Sequence, residues 1–290
     1  MKSATATTAG LGVIGMSGLA SASGYSVIST RGHYDGDGNL KSGYSVYDYE
    51  TDGSVPGQDM GCVSELTVHV HGFNNTAQDA LNNFQEANDD LRAAGYGGAL
   101  AGFTWDSDAP SLWNPTDWGG FGTAQDIAQQ NGYALAQFAL NYKTWCPNGV
   151  LRLTCHSLGA QVIFNALRIL NRDSYWKDGG YLFDSVHLLG AAQDNEAPTK
   201  EWMDTYNAIN DTTVATFDYH SEDDSVLKYL YLPRELDFAL GQTGYEDGNT
   251  PAPNYVENDV TSKVGSDHSS YMNECANEIV YHMANDSSFA

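Results

Sequence analysis

The chain has 290 residues, with 37 acidic side chains against 13 basic ones and a formal net charge of −24. That length can bury a core for one large domain or two small ones. The charge repels polyphosphates and anionic headgroups, which excludes nucleic acid as a partner and argues against a lipid surface.

The acids are scattered in short runs such as Asn88-Asp89-Asp90 and Glu222-Asp223-Asp224, which describes a solvated shell and not a disordered tail. Residues 1–22 read as an export signal. Ala9 to Ala20 is weakly apolar, and Ala20-Ser21-Ala22 offers a small-x-small cleavage site. The stretch is too short and mild to span a bilayer, so no stable membrane anchor is expected. Met1-Lys2-Ser3-Ala4 looks like the tail of a twin-arginine signal whose start lies upstream, which makes the expected location extracellular. Export permits disulfides among Cys62, Cys146, Cys155 and Cys275, none of which shows the C-x-x-C spacing of a zinc or redox site.

Residues 23–62 read as an N-terminal β extension. Tyr25 and Val27, then Tyr44, Val46, Tyr47 and Tyr49, flank the turn cluster Asp35-Gly36-Asp37-Gly38-Asn39, the pattern of a hairpin or small meander. The cluster has the look of a calcium loop. However, Leu40 stands where that loop needs glycine and Val46 where it needs its closing glutamate, so no metal is assigned.

From residue 63 to 290 strands alternate with helices. The expected strands are 66–70, 99–105, 150–154, 186–191, 213–219 and 255–260; the expected helices are 76–94, 123–142, 160–170 and 269–283. This alternation reads as one α/β domain, a mostly parallel sheet with helices on both faces. The stretch from Trp105 to Phe121, with Trp113, Trp118 and two prolines, reads equally as a lid over a site and as packing on the sheet edge.

The chemistry is concentrated in Cys155-His156-Ser157-Leu158-Gly159, between the apolar run Val150 to Thr154 and the helical stretch Ala160 to Leu170. A serine on such a strand-to-helix turn has its hydroxyl pushed clear of the sheet, beside the first N–H groups of the helix. Cys155 replaces the glycine that usually opens this motif; it is small, but it narrows the turn.

Several segments, in this order, resemble the α/β-hydrolase superfamily over roughly Val63 to Met283: Val70-His71-Gly72-Phe73-Asn74, Phe103-Thr104-Trp105-Asp106-Ser107, the Ser157 turn, Leu188-Leu189-Gly190-Ala191-Ala192, Ser221 to Leu227, and Asp267-His268-Ser269. The chain looks most like the secreted serine hydrolases of halophilic archaea and a related group of bacterial α/β-hydrolases, and its many aspartates and few lysines fit a halophilic archaeal origin. The resemblance implies a triad in the order nucleophile, acid, base: Ser157, then Asp224, then His268. Asp223 is a near alternative for the acid and Asp194 a distant one. Among the other histidines, His187 reads as core, His282 as surface and His156 as structural, while His220 ends the strand that leads to the acid. The oxyanion donors would be the N–H groups of Leu158 and Phe73.

The implied activity is hydrolysis of a carboxylic ester, lipid or small-molecule, with no metal or organic cofactor. The reading from another class is a non-catalytic surface or virion component that binds a partner on the same fold. Finally, in the hydrolase sheet the strands that start near Cys62 and Cys146 are parallel neighbours. That places both cysteines at one edge and predicts a disulfide between them.

Overall fold

A computed structural model describes residues 26–52, 54–108 and 120–289. The expected export signal and most of the aromatic stretch, including Trp113 and Trp118, lie outside the described residues. The strands are β1 (Ser26–Ser29), β2 (Glu50–Thr51), β3 (Glu65–Val70), β4 (Ala99–Thr104), β5 (Val150–His156), β6 (Ser185–Leu189), β7 (Thr216–His220) and β8 (Tyr255–Asp259). They form one sheet in the order β2-β1-β4-β3-β5-β6-β7-β8. Every pairing is parallel except β1 with β2.

The helices of ten residues or more among the described residues are α1 (Ala77–Ala93), α2 (Phe121–Trp145), α3 (Gly159–Leu170), α4 (Met203–Thr212) and α5 (Tyr271–Asn285). Strand side chains alternate between two apolar layers, as the pleat requires. Leu66, Val68 and Val70 of β3 join the layer that holds Phe138, Ile163 and Leu167 from α2 and α3. Phe217 and Tyr219 of β7 join the layer with Leu91 of α1 and Ile279 of α5. Helix α1 begins where the sequence expects, at a Thr76 capping box closed by Asp79.

The expected N-terminal β extension joins the main sheet, because β1 pairs in parallel with β4. Its aromatic run 44–49 is not a strand; only Glu50–Thr51 pairs. The turn itself is held by Asp35, whose Oδ1 accepts the N–H groups of Asp37 and Asn39. His282 is also buried, contrary to the surface position expected of it. Its ring lies parallel to Phe217 with centroids 4.4 Å apart, and its Nδ1 is 2.8 Å from the Tyr219 hydroxyl.

Cys62 and Cys146 are disulfide-bonded, with Cα atoms 5.6 Å apart. Each lies a few residues before a strand, and those strands, β3 and β5, are parallel neighbours in the register Glu65 to Val150. Cys155 and Cys275 are free and buried. The bridge spans 84 residues, so the chain-entropy model gives it about 4–5 kcal/mol. Replacing both cysteines by serine should therefore lower the urea midpoint substantially. An unchanged midpoint would show that the bond contributes nothing.

Candidate active site

Ser157 sits at the C-terminal end of β5, on the turn into α3, with φ at +54°. An L-residue held there is strained by roughly 1–2 kcal/mol, and such strain persists only where surrounding packing enforces it. The enforcement is visible in two glycines. A side chain on Gly159 would meet the carbonyl oxygens of Val70 and His71 at 2.7 and 2.9 Å, and one on Gly72 would approach Ser157 Cβ at 3.0 Å. The bare Gly159 also leaves room for Cys155, whose Cβ lies 3.2 Å from where a Gly159 Cβ would be. Cysteine is therefore tolerated at the position where the motif usually has glycine. Burial raises the Cys155 thiol well above its usual range, so it stays protonated beside the serine.

His268 and Asp224 meet across 44 residues of sequence, with Nδ1 2.6 Å from Oδ2. Asp224 is fully buried. Its Oδ1 accepts the N–H groups of Val226 and Leu227, each at 3.0 Å, and the Tyr271 hydroxyl lies 3.0 Å from Oδ2. Burial alone would raise this carboxyl. The hydrogen bonds and the charge of His268 more than offset that, and its pKa falls below the usual value. An ionised carboxylate only accepts, so Nδ1 of His268 donates to it, and in the neutral imidazole that tautomer leaves the lone pair on Nε2. That Nε2 is buried and has no hydrogen-bond partner among the described residues.

The rivals lie elsewhere. Asp223 is exposed. Asp194 accepts from the Tyr231 hydroxyl at 2.6 Å and lines a different pocket. His156 serves to position: its Nε2 is 2.7 Å from the backbone oxygen of His268, to which it donates. Burial and the neighbouring His268 push its pKa down to about 3, so the ring is neutral.

The loop after β3 supplies the other wall. His71 is fully buried, stacked on Trp105 with centroids 5.6 Å apart, and its Nε2 accepts the Trp105 N–H at 3.2 Å. Asn74 and Asn75 donate their N–H groups to Ser107 O and Oγ, and Arg31 bonds Asn75 O. These contacts fix the loop while the N–H groups of Phe73 and Leu158 remain unengaged among the described residues. Sequence reasoning missed Arg31, Ser107 and Tyr271, because each acts from an element remote in sequence and no local pattern marks it.

Ser157, His268 and Phe73 line one cavity of about 720 Å³, within the range of small-ligand sites. Its lining includes the apolar or aromatic Phe73, Phe121, Leu227 and Tyr231, the acids Asp79, Glu86 and Asp90, and Arg234. Phe73 and Phe121 meet edge to face at 5.4 Å, and Phe121 meets Tyr231 the same way at 6.2 Å.

A parallel sheet with helices on both faces and a strained serine at the end of its β5 strand defines an α/β-hydrolase fold. A family model described as "alpha/beta hydrolase of unknown function (DUF900)" matches residues 60–234, and the chain belongs to that family. The match takes in Ser157 and Asp224 and stops short of His268. No curated protein matches the sequence. Among solved structures, a cutinase-like protein from Cryptococcus sp. is 12% identical, with 77% of this chain and 95% of that one covered and a TM-score of 0.41. The catalytic core domain of acetyl xylan esterase from Trichoderma reesei is 13% identical, with 78% and 100% covered and a TM-score of 0.44.

Proposed function

We propose that the protein hydrolyses carboxylic esters through an acyl-serine intermediate. Ser157 is the nucleophile, His268 the general base, and Asp224 the group that holds the imidazole in its tautomer. His268 Nε2 takes the Ser157 proton as Oγ attacks the carbonyl carbon, and the N–H groups of Phe73 and Leu158 receive the developing oxyanion. The same proton then passes to the leaving alcohol, and water repeats the sequence on the acyl-enzyme. The observation that carries this reading is the 2.6 Å pairing of Asp224 with His268 Nδ1, which leaves a buried, unpartnered Nε2 at the cavity that Ser157 also lines. The apolar lining suits an acyl chain. Three carboxylates against one arginine in that lining disfavour anionic substrates.

A fluorophosphonate probe should label the parent chain and leave Ser157→Ala unlabelled, with hydrolysis of p-nitrophenyl esters lost in parallel. An unlabelled parent would instead point to a binding protein on a hydrolase fold.

The protein is further proposed to be secreted and salt-adapted. The support is a disulfide between Cys62 and Cys146 and a net charge of −24. Molar salt shortens the screening length to about 3 Å and removes the repulsion among carboxylates that so few lysines balance. The melting temperature should therefore climb as KCl is raised from millimolar to molar. A flat dependence would refute the adaptation and leave the hydrolase reading untouched.

A further inference from the structure

A second group of polar side chains lies where β7 and β8 pair, apart from the serine cavity. Asp218 and His220 are two residues apart on β7 and so share a face of the sheet. Glu257 stands opposite Asp218 in the parallel register. One ligand atom from each of the three lies within 4.8 Å of the others. Asp218 is fully buried, and neither of its carboxylate oxygens has a hydrogen-bond partner. His220 is 6% exposed. Its Nδ1 is 3.3 Å from Asp218 Oδ2, within ion-pair reach but without the alignment of a hydrogen bond, and it has no other partner. Tyr255, on the same face of β8, also holds a buried hydroxyl without a partner.

Native folds seldom keep a buried carboxylate without hydrogen bonds unless something binds it. Two carboxylates and one imidazole with ligand atoms within 4.8 Å of one another supply donors and negative charge for a dication. We propose that Asp218, His220 and Glu257 bind one divalent transition-metal ion, zinc(II) by the donor set. An imidazole with two carboxylates suits zinc, whereas calcium and magnesium favour oxygen ligands throughout. Glu257 is exposed, which gives the ion a path of entry. Gly244 passes so close that a Cβ there would fall 3.2 Å from His220 Cε1, and Tyr245 N donates to Glu257 Oε1 at 2.9 Å. The ion would thus fasten β7, β8 and the Gly244 turn together. Just beyond His220, Ser221 bonds Gly241 O and the chain turns into the loop that carries Asp224. The role is to secure the base of that loop, with no part in the ester reaction.

The test is equilibrium dialysis of the EDTA-treated full chain against ZnCl2 in molar KCl, which screens weak binding by surface carboxylates, with bound zinc counted by mass spectrometry. One zinc per chain is expected. Asp218→Asn, His220→Gln and Glu257→Gln should each weaken binding by about tenfold or more. Zinc should raise the melting temperature of the parent and not of the variants. Glu257→Gln alters an exposed side chain and keeps an oxygen for the Tyr245 N–H, so its result decides even if Asp218→Asn fails to fold. No bound zinc in the parent overturns the proposal. So does parent-like zinc affinity in both His220→Gln and Glu257→Gln, or binding of CaCl2 in preference to ZnCl2.

Discussion

His268→Ala should lower ester turnover by about six orders of magnitude, the scale found where a serine and its histidine act as one unit. Without the imidazole nothing accepts the Ser157 proton, and a neutral hydroxyl is a poor nucleophile. Because the two groups act together, Ser157→Ala with His268→Ala should be no slower than either change alone. Circular dichroism should show an intact fold, since His268 lies in a loop ahead of α5 and contributes no apolar core. The measurement is kcat/KM on a p-nitrophenyl ester in molar salt. Activity within a hundredfold of the parent, roughly 3 kcal/mol of barrier, would rule out His268 as the base.

Asp224→Asn should cost about four orders of magnitude, and the reason lies in its four contacts. Oδ1 accepts two backbone N–H groups, from Val226 and Leu227. In the asparagine the amide oxygen must keep those bonds, so the NH2 group faces His268 Nδ1. A donor there forces the proton onto Nε2, the wrong tautomer for a base. Asp223→Asn changes an exposed side chain three bonds along the backbone and should be near neutral. Alanine at 224 is a poorer probe, since it also strips both N–H groups of their acceptor. If Asp223→Asn were the damaging change, the acid would have to be reassigned.

The parts of this molecule that were legible in sequence are those written locally. The turn at Ser157 shows because strand, small residues and helix follow one another without a gap, and the β3 and β5 offsets of Cys62 and Cys146 show because parallel neighbours keep step. The β extension was harder. Its tyrosines at 44, 47 and 49 have strand-like composition, yet the chain turns through them and pairs only at Glu50–Thr51. His282 was misplaced because helical spacing gives a face but not the depth of burial on it, and Phe289 packs over the ring from beyond the helix. Tyr271 and Arg31 reach the site through contacts with residues tens of positions away. Asp218 and Glu257 come together only because β8 lies next to β7, and no spacing in the chain announces that pairing.

The placement of His268 bears on timing. The proposed nucleophile and acid both precede residue 225, one on the turn after β5 and the other in the loop after β7. The proposed base follows, just ahead of α5, and is held from several distant points: His156 bonds its backbone, α5 packs on α1, and Arg152 of β5 pairs with Asp286 beyond the end of α5. Under the proposed mechanism, a growing or truncated chain ending before Ser266 would carry the serine without its base. On that mechanism, hydrolysis would begin only once α5 has docked on α1, so activity would report the packing of that helix and not merely the presence of the serine.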